Sequence, residues 1–473
     1  MLLLVVGAAI ECGLLGMLQA PPAPGRTSVY LALFGGAFVA YLFAVRLVLA
    51  PADAAGGIRP VDRRLPVDAG LLILGMAILF RLTFLAAPPR LSGDIERYLW
   101  DGRITLSGGN PYLETPATSG FAVVPGAPDV ARIEHANVPT IYPPGAQALF
   151  AAGAAIGPGL YGIKILLVAA DLLVIVTLRS LLRARGLSPA RALIYAWNPL
   201  AITETAWSGH LESAAILCVL LAAGAVVRKK DVRATVALSA GVLVKIAPIL
   251  FIAPLLRSIR ARALLLLPLI VAAAYVPFRA AGWRAFDGLR VYADRWRANE
   301  SLFAIVHAAI VRLDPTPALK AGIAWVRGAI PHTGALDRLY GHVYPLELAK
   351  IVCALAVAGF AAALWRRRVE PLRGLYLMTC VLLLLSPTAH PWYFLWLLPW
   401  LCLFPSRACI LLTGLVSLAY VNLGAAGRET EPYSWIRWVE YGPFFALLCA
   451  DWLHGRARAP LGAAPAVVRP ESG

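Results

Sequence analysis

Long apolar blocks separated by short charged stretches dominate the chain. Most blocks run for roughly 17–22 residues, the length of a helix that spans the hydrocarbon core of a bilayer. They lie near residues 2–20, 28–50, 67–88, 141–157, 160–182, 190–206, 211–227, 234–256, 262–280, 346–365, 372–387, 392–404, 408–424 and 436–453. This pattern predicts an all-α polytopic membrane protein. The first block lacks the basic start of a signal peptide and is expected to be the first span.

Composition and charge agree with that class. Of the 473 residues, 60% are hydrophobic, whereas soluble domains have about 45–50%. The net charge of +17 does not require a nucleic-acid partner, because basic residues at the cytoplasmic ends of spans give the same total. The seven cysteines are scattered and form no CxxC pair, so neither a disulfide framework nor a zinc site is expected.

The basic residues of the short loops predict the orientation. They cluster near residues 59–64, 179–191, 228–233, 257–262, 366–373 and 456–458, and the positive-inside rule places all of these clusters in the cytoplasm. Fourteen alternating spans cannot satisfy that rule. Twelve spans with both termini inside can, if 141–157 and 234–256 do not cross fully. Both exceptions contain helix-breaking prolines, and such segments are tolerated where they line a cavity.

This topology in the plasma membrane leaves four segments on the extracytoplasmic side. They are the long loops 89–140 and 281–345 and the short turns 207–210 and 386–391, all within a single domain covering 1–473. The residues with distinctive chemistry lie in or beside these segments, which suggests a site at the outer face.

The stretch GDIERYLWDGR (93–103) is the densest group of charges. On a helix, Asp94, Arg97 and Asp101 share one stripe and Glu96 lies on another. Two interpretations stay open here: an interfacial helix held by ion pairs, or a carboxylate that acts as a general base. The Asp94–Ile95–Glu96 spacing leaves a divalent cation possible, although two carboxylates are a weak metal signal.

Further polar and aromatic groups flank the outer segments. Most of them also have a structural explanation: a turn for Asn110, a kinked helix start for Tyr142, a structural loop histidine for His210, a snorkelling lysine for Lys245, and an interfacial aromatic belt for Trp392 and Tyr393. His390, bracketed by Pro387 and Pro391, is less easily explained in this way. The candidates are Asn110, Tyr142, His210, Lys245, His390, Trp392 and Tyr393.

Five strings together resemble a known family. They are GDIERYLWDGRITLSGGNPY, TIYPPGAQALF, WNPLAITETAWSGHLES, LVKIAPIL and LSPTAHPWYFLWLLP, in this order between about 93 and 399. They resemble the GT-C glycosyltransferases, and among these the polyprenyl-phosphate-mannose-dependent α-mannosyltransferases of bacterial lipoglycan assembly. The implied fold is a GT-C membrane domain with about twelve spans plus two partial segments.

The resemblance also implies a reaction and its residues. A polyprenyl-phosphate sugar, mannose by resemblance, is the donor, and a glycan or glycolipid is the acceptor, with inversion at the anomeric carbon. Asp94 falls at the position of the catalytic base, and Glu96, Arg97 and Asp101 are candidates for support. The remaining candidates are expected to bind the sugar or the lipid phosphate, and no metal cofactor is expected.

Two other classes remain as alternatives. A transporter or lipid flippase usually places its ionisable residues midway along spans, and only Lys245 fits that expectation. A membrane scaffold would use 281–345 as its interaction surface, but it leaves the grouping of Asp94, His210 and His390 unexplained.

Overall fold

A computed structural model describes residues 1–23, 26–50, 67–118, 126–157, 159–330, 334–422 and 434–458. Over these ranges the chain is built from helices, and no strand forms; one isolated bridge pairs Ala298 with Thr388. The prediction of an all-α polytopic membrane protein is confirmed.

Seventeen α-helices of eight or more residues make up the described fold. They are α1 Leu2–Gln19, α2 Thr27–Leu49, α3 Val67–Leu85, α4 Asp94–Leu106, α5 Pro144–Ile156, α6 Tyr161–Ala184, α7 Glu212–Val227, α8 Asp231–Val244, α9 Leu266–Tyr275, α10 Asp287–Arg295, α11 Leu302–Leu313, α12 Thr316–Ala329, α13 Gly334–Gly341, α14 Pro345–Arg366, α15 Pro371–Leu385, α16 Arg407–Leu415 and α17 Ser434–Arg458. Short helices and the 11-residue 3-10 helix Val276–Phe286 join these α-helices; the short ones include Pro199–Ile202, Thr203–Trp207, Ala247–Phe251, Ile252–Leu255, Pro391–Trp396 and Leu398–Leu403.

The sequence predicted twelve complete spans. In the described residues, fewer than twelve of the apolar blocks form one long continuous helix. By length and composition, the described residues contain five candidate spans: Leu2–Gln19, Thr27–Leu49, Tyr161–Ala184, Ala261–Arg295 and Pro345–Arg366. Two bent pairs raise the number to seven if each is one broken span: Pro199–Trp207 with Glu212–Val227, at 118°, and Leu302–Leu313 with Thr316–Ala329, at 70°. Other predicted blocks are apolar helices of 10–17 residues. Prolines start several of these, including α5 and α15, and interrupt the hydrogen-bond ladder that a single long helix needs.

The two segments predicted not to cross fully are short helices. Helix α5 has 13 residues and α8 has 14, so each is only about 20 Å long at 1.5 Å per residue, less than the roughly 30 Å hydrocarbon core. Helix α8 ends at Val244, Lys245 follows in an extended conformation, and Pro248 lies in the next short helical segment.

The segment 281–345, predicted as a long loop, is largely helical. It contains α10 to α13, and α11 packs through Phe303 against Ala349 and Cys353 of α14. The sequence did not predict the bent pair α11 and α12, because Arg312, Asp314 and Pro315 interrupt its apolar run.

Helix α4 is pressed tightly against α5. A Cβ atom on Gly102 would lie only 2.4 Å from the carbonyl oxygen of Phe150, closer than any real contact of that kind. The close approach places the start of α4 at a fixed position against the membrane helices.

We therefore expect Gly102→Ala to destabilise the protein by about 1–3 kcal/mol, the usual cost of overpacking. The measurement is the unfolding midpoint in detergent. Gly36→Ala in α2 is the matched control, because a Cβ there meets no atom within 4 Å. Equal midpoints for the two variants would show that the α4–α5 contact is loose.

Candidate active site

Helix α4 begins at Asp94, whose carboxylate is about one-third exposed. The Asp94 backbone nitrogen donates to the Ser92 hydroxyl at 3.2 Å. A carboxylate in the first turn interacts favourably with the positive end of the helix dipole. The sequence GDIER thus forms a helix start that presents one acidic side chain at its tip.

The other two residues of the charged stripe on α4, Arg97 and Asp101, form an ion pair within the helix. Arg97 Nε donates to Asp101 Oδ1 at 2.8 Å, and the Asp101 carboxylate also accepts from Thr140 Oγ1 at 2.5 Å and Gln147 Nε2 at 3.2 Å. Asp101 is fully buried. The two sequence interpretations of this stretch are therefore compatible, since ion pairs on one part of α4 fix the helix that carries Asp94.

Glu96 is oriented away from Asp94. It is buried and forms an ion pair with Arg132. Neither Glu96 nor Asp101 lines the cavity described next, so Asp94 is the one α4 carboxylate that does.

A cavity of about 180 Å³ lies at the tip of α4. It is lined by Gly93, Asp94, Arg97, Tyr98, Glu134, His135, Val138, Pro139, Ile141, Tyr142, Lys245, Tyr292, Trp296, His390, Trp392 and Tyr393. Residues more than 250 positions apart in sequence therefore meet at one site.

Most of the sequence candidates line this cavity. They are Asp94, Arg97, Tyr142, Lys245, His390, Trp392 and Tyr393. His210 lies directly behind Asp94. Asn110 does not line the cavity: its side-chain oxygen accepts from the Tyr112 backbone nitrogen at 3.1 Å, as in a turn, and its role in substrate binding stays a prediction.

Lys245 points into the protein instead of snorkelling. Its ammonium group pairs with the fully buried Glu212 carboxylate and lies 4.1 Å from the centre of the Tyr393 ring. The Tyr393 hydroxyl is 2.7 Å from that of Tyr292. The break after α8 thus places a cation in the cavity wall, with a carboxylate behind it.

His210 lies between two carboxylates. Its Nε2 is 3.7 Å from Asp94 Oδ2, and its Nδ1 is 3.0 Å from Glu204 Oε2, although the Nδ1 contact is not aligned as a hydrogen bond. The ring stacks on Trp392 at 4.0 Å between centroids, and Trp392 stacks on His390 at 4.3 Å.

Electrostatics distinguish Asp94 from an ordinary surface carboxylate. Burial raises its pKa above the usual range, and nearby His210 partly offsets that effect. Burial also raises the pKa of Glu134, and the charge of Asp94 adds to that increase. A raised pKa brings a carboxylate closer to the value that suits a general base near neutral pH.

Several cavity residues were missed from the sequence. Glu134 packs against Gly93, since a Cβ there would lie 3.2 Å from Glu134 Oε1, and the adjacent Glu134–His135 pair in the first loop was an available signal. Tyr292 and Trp296 follow no pattern that could have identified them. In the described ranges, no three or more His, Cys, Asp or Glu side chains are grouped so that they could hold a metal ion.

Comparisons with known proteins identify the family. The model described as MptA_B family, alpha-(1->6)-mannopyranosyltransferase, N-terminal domain, matches residues 10–261, and the model described as MptB C-terminal domain matches residues 334–438. The first match alone covers more than half of the chain. Neither the comparison with curated proteins nor that with solved structures found a match.

These two matches decide between the alternatives drawn from the sequence. A transporter or a scaffold does not account for them, whereas the resemblance carried by the five strings agrees with both. The chain belongs to the alpha-(1->6)-mannopyranosyltransferase family and is a GT-C membrane mannosyltransferase.

Proposed function

We propose that the protein transfers mannose from a polyprenyl-phosphate donor to a hydroxyl of a mannoside acceptor, with inversion at the anomeric carbon. The observation that carries this proposal is the convergence of Asp94, Arg97 and Lys245 on one cavity. The description of the matched family, an alpha-(1->6)-mannopyranosyltransferase, suggests that the acceptor hydroxyl is the 6-hydroxyl and that the product is α-linked.

Asp94 is proposed as the general base. It takes the proton of the acceptor hydroxyl while the acceptor oxygen forms a bond to the anomeric carbon and the bond from that carbon to the phosphate oxygen breaks. The lipid phosphate leaves with the bonding electrons. A β-linked donor then gives an α-linked product.

Cations in the cavity wall support a phosphate leaving group. The ammonium of Lys245 is partly exposed to the cavity, and Arg97 Nη2 is buried without a hydrogen-bond partner among the described residues. A buried, unpartnered donor is costly unless a ligand completes it, and cations placed where negative charge develops lower the barrier.

The basic residues at the end of α7 that is distant from the cavity support an extracytoplasmic site in the plasma membrane. Helix α7 runs for about 24 Å over its 16 residues, from Glu212, which pairs with Lys245 of the cavity wall, to Val227. There, two adjoining clefts are lined by residues of four loops that include Arg185, Lys229, Arg257, Arg260 and Arg368. By the positive-inside rule this basic end is expected to face the cytoplasm, which supports the proposal that the cavity and Asp94 lie on the other side.

A donor comparison tests the proposal. Membranes containing the protein are incubated with a mannoside acceptor and either radiolabelled polyprenyl-phosphate mannose or a radiolabelled nucleotide-linked mannose. We expect label in the acceptor from the lipid donor alone. Transfer from the nucleotide donor in membranes free of polyprenyl phosphate would contradict the proposed donor class.

The acid side of the pH profile follows from the state of Asp94. The base must be ionised, so activity falls as the pH drops through its pKa, which burial raises. We expect the acid limb of kcat/KM to lie above about 3.9, the ordinary value for aspartate. A rate that stays constant down to pH 4 would rule out Asp94 as a base with a raised pKa.

A further inference from the structure

The environment of His210 differs from that of a substrate ligand. The side chain is fully buried and does not line the cavity. Its two ring nitrogens instead face Asp94 on the cavity side and Glu204 on the inner side, at 3.7 Å and 3.0 Å. The imidazole therefore reaches the acceptor only through Asp94.

The ring orientation is fixed from several directions. His210 stacks on Trp392 with an interplanar angle of 16°, and its backbone nitrogen donates to the Glu204 carbonyl at 2.9 Å. The preceding residue, Gly209, has a φ of +75°, and a Cβ there would lie 2.3 Å from Ile95 Cδ1. The break between Trp207 and α7 thus has one close-packed conformation, which aims the ring at both carboxylates.

Glu204 explains why this histidine would carry a proton. Its carboxylate is fully buried and accepts a hydrogen bond from the Tyr420 hydroxyl. A buried carboxylate needs a counter-charge, and among the described residues the cationic group closest to it is the imidazole of His210. The other ionisable groups that face the Asp94–His210 pair are Glu134, His135, Glu212, Lys245 and His390.

We propose that His210 is a protonated positioning residue, held between Glu204 and Asp94, whose imidazolium keeps Asp94 ionised and aimed at the acceptor hydroxyl. This inference rests on the proposed function of Asp94 as the base. It assigns to Glu204 the role of stabilising the imidazolium, and it moves His210 from the substrate-binding set to the support of the base.

Two variants test the inference by the pH profile. His210→Gln removes the cation and Glu204→Gln removes its counter-charge. Because an opposite charge within about 4–6 Å lowers a carboxyl pKa by one to three units, we expect the acid limb of kcat/KM to move upward by about one pH unit or more in both variants. At pH values below the acid limb, the rate of each variant should be lower than that of wild type by about tenfold for each pH unit of the shift. At pH values above the limb, the activity of the variants recovers. The KM for the lipid donor stays within about twofold of wild type.

His342→Gln is the matched control, since His342 is exposed and does not line the cavity, and the acid limb of this variant should not move. If His210 had only a structural role, activity would fall equally at all pH values with the limb in place. A direct substrate ligand would raise KM for the donor. Either result, seen in both variants, overturns the inference.

A second readout does not depend on turnover. The carbonyl stretch of protonated Asp94 is followed by infrared titration of the purified protein and assigned by its loss in Asp94→Asn. We expect the band to persist to higher pH in His210→Gln and Glu204→Gln than in wild type. An unchanged titration refutes the role of His210 even if the protein uses another donor, whereas a shifted titration with no sugar transfer refutes the proposed function alone.

Discussion

Asp94→Asn is expected to lower mannose transfer by about 10²–10⁴-fold, the usual contribution of a general base. Asparagine keeps the size of the side chain at the tip of α4 but cannot accept the acceptor proton. We expect kcat to fall while the binding of the lipid donor changes little. The measurement is the initial rate of label transfer at saturating donor and acceptor, normalised to the amount of folded protein.

Glu96→Gln provides the comparison for that result. Glu96 lies two residues away on the same helix, but it pairs with Arg132 and does not line the cavity. We expect this variant to keep most of its activity. A nearly inactive Glu96→Gln beside an active Asp94→Asn would mean that the base has been assigned to the wrong carboxylate.

Lys245→Gln should lower kcat by about 10²-fold, within the range reported for removing one group that stabilises developing charge. The ammonium lies in the cavity wall, over the Tyr393 ring and against Glu212, where it can offset the charge that grows on the leaving phosphate. The same change leaves the Glu212 carboxylate buried and unpaired, which alone costs about 3–5 kcal/mol. Loss of activity could therefore reflect loss of fold.

A double variant separates these two effects. Lys245→Gln combined with Glu212→Gln removes both charges, so the unfolding midpoint should return toward that of wild type while kcat stays low. Lys245→Arg, which keeps the charge, should retain more activity than Lys245→Gln. If the double variant regained full activity, Lys245 would be a partner for Glu212 and would have no part in catalysis.

Seven of the sixteen residues that line the cavity were candidates from the sequence, because they lie beside breaks in apolar blocks. Asp94 follows Gly93 at a helix start, His390 precedes Pro391 at another, and Lys245 directly follows the end of α8. Ionisable groups at such positions need a partner or a cavity. The fold class followed from the length and hydrophobicity of the blocks, which need no knowledge of packing.

Other features depend on packing that the sequence does not display. The pairing of Lys245 with Glu212 joins residues 33 positions apart, and it forms because α7 and α8 make a hairpin. The contact of Glu134 with Gly93 depends on how the first loop folds back over α4. Hydrophobicity alone also does not show where proline divides an apolar block into shorter helices, as at the start of α5 and of α15.

The stereochemistry of a purified reaction tests the central claim most directly. The protein in lipid vesicles is given β-configured polyprenyl-phosphate mannose and a mannoside acceptor, and the new linkage is assigned by NMR. We predict an α-linked product, formed with the release of polyprenyl phosphate and absent with Asp94→Asn. A β-linked product, or equal product from Asp94→Asn, would contradict inverting transfer with Asp94 as the base.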